Sequence, residues 1–159
     1  MEINEEKLNE FMGRAVGDIG AAMSTALCIL GEKLGLYKAM HGSGPMTPGE
    51  IAKKTHTAER YVQEWCMNQA AGGYINYDSK TGKFTLPPEQ GMALADDSSP
   101  VYLHGAFDVI TSVIKDVPKI EKVFRTGEGL HWGEHDHCLF IGTERFFRSS
   151  YIGHLLKDW

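Results

Sequence analysis

The residues most able to do chemistry lie between Gly127 and Arg148, in the segment GEGLHWGEHDHCLFIGTERFFR. Five side chains that could bind a metal or carry a proton fall within eight consecutive positions: His131, Glu134, His135, His137 and Cys138. Imidazoles titrate near neutral pH and can donate or accept hydrogen bonds. This cluster could therefore move protons, coordinate a metal or contact a polar ligand.

Three interpretations of the segment are open. His131 and His135 have the spacing of one helical face for a metal, but Gly129 and Gly133 weaken a helix and the HExxH order is absent. A solvated loop would carry no chemistry. A pocket-lining loop would hold the imidazoles around a small organic ligand, together with aromatic rings: Trp132, Phe140, Phe146 and Phe147. We predict a pocket and no metal.

The stretch from Thr47 to Pro88 has the element order of a winged helix-turn-helix. Thr47 followed by Pro48 and Glu50 predicts the capped start of a short helix, with Ile51 and Ala52 facing inward. A turn leads to a second helix over residues 58–71. The inward stripe of this second helix comprises Val62, Trp65, Cys66, Gln69 and Ala70.

The residues after the second helix predict the wing. Gly72 and Gly73 suit a left-handed helix end. Two alternating strands, Tyr74–Tyr77 and Lys83–Leu86, flank a polar turn, and Pro87-Pro88 ends the second strand. A module of this kind either reads DNA or serves for packing and dimerisation in an enzyme.

Residues 5–40 carry apolar side chains at helical spacing, and the second half is apolar around much of its circumference. Such a helix is expected to be buried on more than one side. Interior glycines cost about 1 kcal/mol each relative to alanine, so a packing reason or a kink is expected at Gly13, Gly17, Gly20 and Gly31. The helix is either an ordinary core helix or part of an intertwined homodimer, and we predict the homodimer.

The pattern downstream of the wing is again helical. Residues 101–117 have a helical period, and Pro118 is expected to open a separate short helix through Phe124. No clear period is visible over residues 126–141. The tail from Gly142 is helical, with a break expected near Ser149, and it ends on apolar positions: Leu155, Leu156 and Trp159. An uncapped amphipathic end suggests a piece of a longer protein.

Together these elements predict a mainly α fold: a winged helix-turn-helix with a small β-hairpin wing, plus long N-terminal and C-terminal helices. We divide the chain into N-terminal dimerisation helices (residues 1–46), the winged helix-turn-helix (47–90) and a helical, pocket-lining extension (91–159). A chain of 159 residues is long enough to bury a real core.

Composition narrows the range of partners. A net charge of −5 and a pI near 5.8 disfavour general attraction to nucleic acid or anionic membranes. Three scattered cysteines, Cys28, Cys66 and Cys138, predict reduced thiols. The N-terminus has no signal-peptide pattern, and the apolar run 21–30 is too short to span a bilayer. We expect a cytoplasmic protein with no membrane or nucleic-acid partner.

The charge of the winged helix bears on DNA reading. Over residues 47–90 five basic side chains balance five acidic ones. The second helix offers few base readers beside its Glu59 and Glu64: Arg60, Gln63, Asn68 and Gln69. Because phosphate neutralisation supplies most non-specific affinity, a neutral module would bind DNA weakly. A DNA-binding regulator with a small-molecule effector pocket is the alternative to an enzyme, and a metal-dependent sensor is a third hypothesis.

Four stretches carry a family resemblance: AAMSTALCILGEKLGLYKAM, TPGEIAKKTHTAERYVQEWCMNQAAGGYINYD, FTLPPEQGMALADDSSP and GEGLHWGEHDHCLFIGTERFFRSSY. Their order resembles the N-terminal region of class I S-adenosylmethionine-dependent methyltransferases, in the O-methyltransferase-like group with an N-terminal winged helix. The resemblance covers nearly the whole chain, and EHDHCLFIGTERFFR is its most specific part. It implies a region that dimerises subunits and closes one side of a substrate pocket.

The resemblance also implies candidate residues for the cofactor or substrate pocket: His135, His137, Phe146, Phe147, Arg148 and Tyr151. Aromatic faces would pack on the ligand, and Arg148 would bind an anionic group such as a carboxylate. The full enzyme would use S-adenosyl-L-methionine on a small-molecule substrate. The family's catalytic domain opens with a strand and a glycine-rich turn, which this chain lacks. We therefore expect the chain alone to bind no cofactor and to be inactive.

Overall fold

The computed structural model describes residues 3–155, which form a mainly helical fold with one small hairpin. The helices are α1 Glu5–Lys33, α2 Leu36–Met40, α3 Pro48–Thr55, α4 Glu59–Ala71, α5 Pro88–Leu94, α6 His104–Thr126 and α7 His137–His154. The strands are β1 Asn76–Asp78 and β2 Lys83–Thr85, and a 3₁₀ turn spans Trp132–Glu134. The predicted fold class is confirmed.

The helix-turn-helix is formed by α3 and α4. The predicted capping box opens α3: Thr47 Oγ1 accepts from the Glu50 N–H at 3.2 Å, and Glu50 Oε2 accepts from the Thr47 N–H at 2.7 Å. The turn passes through His56, a non-glycine residue in the left-handed region at φ 54°. α4 then begins at Glu59, within one residue of the predicted start.

Trp65 lies at the centre of the core between α1, α2 and α4. Its ring meets Tyr37 edge-on with 5.0 Å between centroids, and its Nε1 donates to the Leu27 carbonyl at 2.9 Å. Three other members of the predicted stripe are buried with Trp65: Val62, Cys66 and Gln69. The last member, Ala70, is partly buried. Ile51 and Ala52 of α3 are also buried, as predicted.

The wing is shorter than predicted. Tyr77 of β1 pairs with Phe84 of β2, and Met46 bridges to the other edge of Phe84. Tyr74 and Ile75 do not join the ladder because their N–H groups bond back to the Gln69 carbonyl. α5 was not predicted. The two prolines indicated only the end of the strand, but Pro88 is also a suitable first residue for a helix.

Most of α1 is exposed among the residues that the structure describes. Only Cys28 and Gly31, near its C-terminal end, are buried. Burial of α1 on more than one side would require a second copy of the chain and stays a prediction. The exposed apolar side chains form one stripe at helical spacing: Leu8, Phe11, Met12, Val16, Ile19 and Met23. We call these six residues the α1 stripe.

The length and composition of α1 also pass the minimal test for a membrane-spanning helix. The prediction of no membrane span rested on the apolar run 21–30, whereas the continuous helix is 29 residues long. A single helix that passes by length and composition alone is weak evidence for a membrane span. Asp18 lies near the middle of the helix, and a central aspartate costs roughly 2.5–3.5 kcal/mol on insertion scales.

The last two helices, α6 and α7, form a closely packed pair. α6 runs through Pro118 without ending, so the expected separate helix after that proline is wrong. The backbone hydrogen bond lost at Pro118 is offset by the packing of α6 along α7. α7 is continuous past Ser149, because serine lowers helix stability only modestly and no glycine or proline stands there. The predicted apolar positions Leu156 and Trp159 lie outside the described residues.

Two glycines allow the close approach of these helices. A Cβ on Gly142 would lie 2.6 Å from the Gly105 carbonyl oxygen and 2.7 Å from the Val109 nitrogen. Backbone atoms cannot move aside as a flexible side chain can. We therefore expect Gly142→Ala to lower the free energy of unfolding by about 1–3 kcal/mol, through forced separation of α6 and α7.

Chemical denaturation of the variant checks this expectation. Gly133→Ala is the matched control, because a Cβ at Gly133 meets nothing within 4 Å, and its effect should stay within about 0.5 kcal/mol. Equal effects for the two variants would show that α6 and α7 do not approach each other as described.

Candidate functional site

The His-rich segment is anchored to α6 through one carboxylate, that of Asp116. This side chain is almost fully buried and accepts from His135 Nδ1 at 2.9 Å and from the Asp136 N–H at 3.0 Å. Lys119 donates to Asp116 at 2.8 Å and also to the Glu134 carbonyl. Hydrogen bonds from Lys119 first, and then from the Asp136 backbone and His135, hold the pKa of Asp116 far below its usual range. The segment is therefore an ordered structure.

The other polar side chains of the segment serve local structure. Glu134 Oε2 accepts from the His131 N–H at 2.8 Å and caps the 3₁₀ turn. Asp136 caps α7 by accepting from the Cys138 N–H at 3.0 Å. Among the side chains that the structure describes, which leave out those of residues 149, 150 and 152–154, no three of His, Cys, Asp or Glu are grouped so that they could hold a metal ion.

An apolar cleft lies between α6 and α7. It has a volume of about 360 Å³ and is lined by Ala106, Val109, Ile110, Thr143, Phe146 and Phe147. Phe146 and Phe147 meet edge-on with 5.2 Å between centroids, and Tyr151 follows Phe147 at 6.2 Å. These three predicted pocket residues thus share one aromatic surface that is open on one side.

The remaining predicted pocket residues lie elsewhere. His137 is exposed at the first turn of α7, so it is about 16 Å along the helix from Arg148. Arg148 is exposed and donates two hydrogen bonds to Glu144 one turn earlier, at 2.7 and 2.8 Å. The six residues therefore form two groups, one at each end of α7, and Arg148 already has an anionic partner.

A partly buried polar cluster, not predicted from the sequence, joins α1, α6 and α7. Arg145 donates to Asp108 Oδ2 at 2.7 Å and to Glu32 Oε1. Tyr102 also donates to Glu32 Oε1, at 3.0 Å. His104, which is fully buried, lies with its Nδ1 3.5 Å from Glu32 Oε2. We call these five residues the Glu32 cluster.

The charges of the Glu32 cluster stabilise one another. Burial by itself raises the pKa of Glu32, but the hydrogen bonds from Arg145 and Tyr102, together with the charges of His104 and Arg145, outweigh burial and hold that pKa below the usual range. Burial lowers the pKa of His104, and the Glu32 carboxylate opposes this effect. At neutral pH the cluster therefore contains two carboxylates, one guanidinium and a neutral imidazole.

The exposed face of α4 offers little to a DNA duplex. Gln69, one of the four candidate base readers, is fully buried and accepts from the Tyr37 hydroxyl. Gln69 also donates to Asn68 at 3.2 Å. Arg60 is paired with Glu64 at 2.6 Å. Of the four side chains, Gln63 alone has no hydrogen bond or ion pair among the contacts of the described residues.

Comparison with known families finds a match to the central part of the chain. Residues 21–96 match the model of the Rv2258c-like winged HTH domain. This range covers the end of α1, the helix-turn-helix, the wing and α5. No curated protein matches the chain by sequence.

Solved structures share the fold over nearly the whole chain. PigF with SAH is 15% identical with a TM-score of 0.61, over 100% of this chain and 48% of that chain. The mitomycin 7-O-methyltransferase MmcR is 17% identical with a TM-score of 0.63, over 93% and 47%. The S-adenosylmethionine-dependent methyltransferase SibL in its apo form is 15% identical with a TM-score of 0.58, over 90% and 46%. The chain thus spans about half the length of these proteins.

Proposed function

From the premise that residues 21–96 form an Rv2258c-like winged HTH domain, we propose a role within a larger enzyme. The chain is the N-terminal dimerisation and substrate-lid region of an S-adenosylmethionine-dependent small-molecule methyltransferase. It is inactive by itself. The whole-chain similarity in fold to MmcR, SibL and PigF supports this assignment, since each is matched over about half its length.

The observation that carries the dimerisation role is the exposed α1 stripe. A contiguous apolar surface on a soluble chain marks an interaction site. The stripe lies on the exposed part of α1, whereas the two buried residues of this helix, Cys28 and Gly31, lie near its C-terminal end. A second copy related by a twofold axis would cover the stripe with the same surface of its own α1.

The lid role rests on the cleft between α6 and α7. Its lining is almost entirely apolar, with the aromatic faces of Phe146 and Phe147 at its mouth. An apolar ring of a small substrate would stack there, while the open side would be closed by the rest of the enzyme. The ordered His-rich segment would then border the same cavity at the start of α7.

The residues described here do not fit the cofactor itself. The sheet within residues 3–155 has two antiparallel strands, whereas a dinucleotide-type site needs a parallel strand that leads into a glycine-rich turn. We therefore derive no catalytic step for this chain. The cofactor would be held by the other half of the enzyme.

Titration of the purified chain with S-adenosylmethionine in a calorimeter tests whether the cofactor is held by the other half of the enzyme. We expect no saturable heat at millimolar ligand, because no cofactor-binding element is present among the described residues. Tight binding at one equivalent per chain would overturn the proposal. Reading the gene beyond the Trp159 codon is the matching control: a strand followed by a D-x-G-x-G-x-G-like turn within about 30 residues supports the enzyme.

A winged-helix DNA-binding regulator is the alternative, and the helix-turn-helix geometry favours it. Its phosphate contacts would have to come from a neutral domain in which Arg60 is paired with Glu64. A gel shift at moderate salt separates the two functions. The enzyme role predicts no sequence-specific complex.

A further inference from the structure

His104 has a tautomer that its surroundings fix. Its imidazole is fully buried at the first residue of α6, and Nε2 lies 2.9 Å from the Leu94 carbonyl oxygen. A carbonyl oxygen can only accept a hydrogen bond, so Nε2 must carry the proton. In the neutral ring Nδ1 is then a bare lone pair.

That lone pair faces another acceptor. Nδ1 lies 3.5 Å from Glu32 Oε2 and has no hydrogen-bond partner. Among the described side chains it is the one fully enclosed nitrogen or oxygen without a partner. Both hydrogen bonds to Glu32, from Tyr102 and Arg145, go to its other oxygen, Oε1. Oε2 and Nδ1 are therefore two acceptors that face each other without a hydrogen between them.

The charged groups around a neutral His104 do not cancel one another. The ring is surrounded by groups from five elements of the fold: Glu32 of α1, Tyr37 of α2, Leu94 of α5, Tyr102 and Asp108 before and within α6, and Arg145 of α7. With a neutral ring, Glu32 and Asp108 outweigh Arg145 by one negative charge. A proton on Nδ1 would neutralise this excess and supply the missing donor.

We propose that Nδ1 of His104 and Oε2 of Glu32 form a proton-binding site that makes the junction of α1 with α6 and α7 sensitive to acid. At neutral pH the site is empty. On acidification a proton from solvent binds Nδ1, the ring becomes a cation, and Nδ1–H donates to Oε2. No other bond is made or broken. This inference does not depend on the proposed methyltransferase role.

The sign of the effect on stability follows from burial. Desolvation lowers the pKa of His104 in the folded chain, so the unfolded chain binds this proton more readily. The stability that a neutral His104 contributes is therefore complete above the unfolded pKa of about 6.5 and is lost as pH falls below it. The junction of α1 with α6 and α7 should therefore lose stability in acid, because the contact with Glu32 does not offset the cost of charging the buried ring.

Imidazole ¹⁵N NMR of the full chain tests the site. At pH 7.5 the His104 resonances should show a protonated Nε2 and a bare Nδ1, and His104 should titrate below the usual histidine pKa of about 6.5. In Glu32→Gln the amide can donate to Nδ1, so the midpoint of His104 should fall further. A protonated Nδ1 at pH 7.5, or a midpoint that does not move in Glu32→Gln, would overturn the proposal.

Thermal unfolding at pH 7.5 and 5.5 tests the consequence. His104→Gln keeps an N–H for the Leu94 carbonyl but has no titratable group, so its melting temperature should fall less between the two pH values than that of the parent chain. All other groups are common to both proteins, and the difference isolates His104. An equal fall in both would contradict acid sensitivity at this junction. The NMR signature of the parent chain gives an answer even if the variant fails to fold.

Discussion

Replacement of Trp65 by alanine is expected to lower the free energy of unfolding by about 3–5 kcal/mol. The side chain is only 4% exposed. Its removal deletes the edge-on contact with Tyr37 and leaves the Leu27 carbonyl without the indole donor, in addition to opening a large cavity. Urea denaturation followed by circular dichroism measures the change.

Tyr61 provides the control for Trp65. It lies on the same helix, one turn earlier, and is 78% exposed, so Tyr61→Ala should change stability by no more than about 0.5 kcal/mol. A loss below about 1 kcal/mol for Trp65→Ala would mean that a different face of α4 points into the core.

The second large effect concerns the α1 stripe. Phe11→Glu combined with Val16→Glu is expected to weaken self-association by at least about 100-fold, since two charges would be buried without partners at the centre of the interface. The two parent side chains are 61% and 59% exposed in the single chain, so the fold itself should survive. Sedimentation velocity over a concentration series gives the dissociation constants.

Arg14→Glu is the matched control for the double variant. It changes the net charge by the same −2, but Arg14 is paired with Glu10 on the opposite side of α1 from the stripe. It should leave self-association within about threefold of the parent. Equal weakening by both variants would point to general charge repulsion and against an interface at the stripe.

The winged helix was predictable because its signals are local. The capping box at Thr47, the glycine pair after α4 and the turn of the wing each act over a few residues, and the structure has the capping box, a left-handed Gly73 and the paired strands of the wing. The inward face of α4 was also predictable from its helical period. Only the ends of the strands differ, because Tyr74 and Ile75 bond back to the helix.

The parts that sequence could not predict depend on tertiary contacts. Pro118 continues α6 because α7 packs along that helix, and nothing near the proline announces this partner. Arg148 looked like the cationic pocket residue, yet Arg145 is the arginine that turns inward to Glu32, 113 residues earlier in the chain. The signal available in the sequence was the presence of Glu32 and His104 on otherwise apolar helix faces.

The candidate site was predictable in part. Phe146, Phe147 and Tyr151, which the family resemblance implies as pocket residues, share one aromatic surface. His135 instead anchors its segment to Asp116, a contact that spans 19 residues and has no local pattern. Whether these residues contact a ligand stays a prediction.

The mass of the unmodified chain in solution tests most directly whether this protein exists to pair subunits. Light scattering at micromolar concentration should give twice the chain mass of 17.7 kDa, because the α1 stripe would be covered by a second copy. A mass of 17.7 kDa that persists at high concentration would contradict the account, and so would recovery of the chain only with detergent or lipid, which would assign α1 to a membrane.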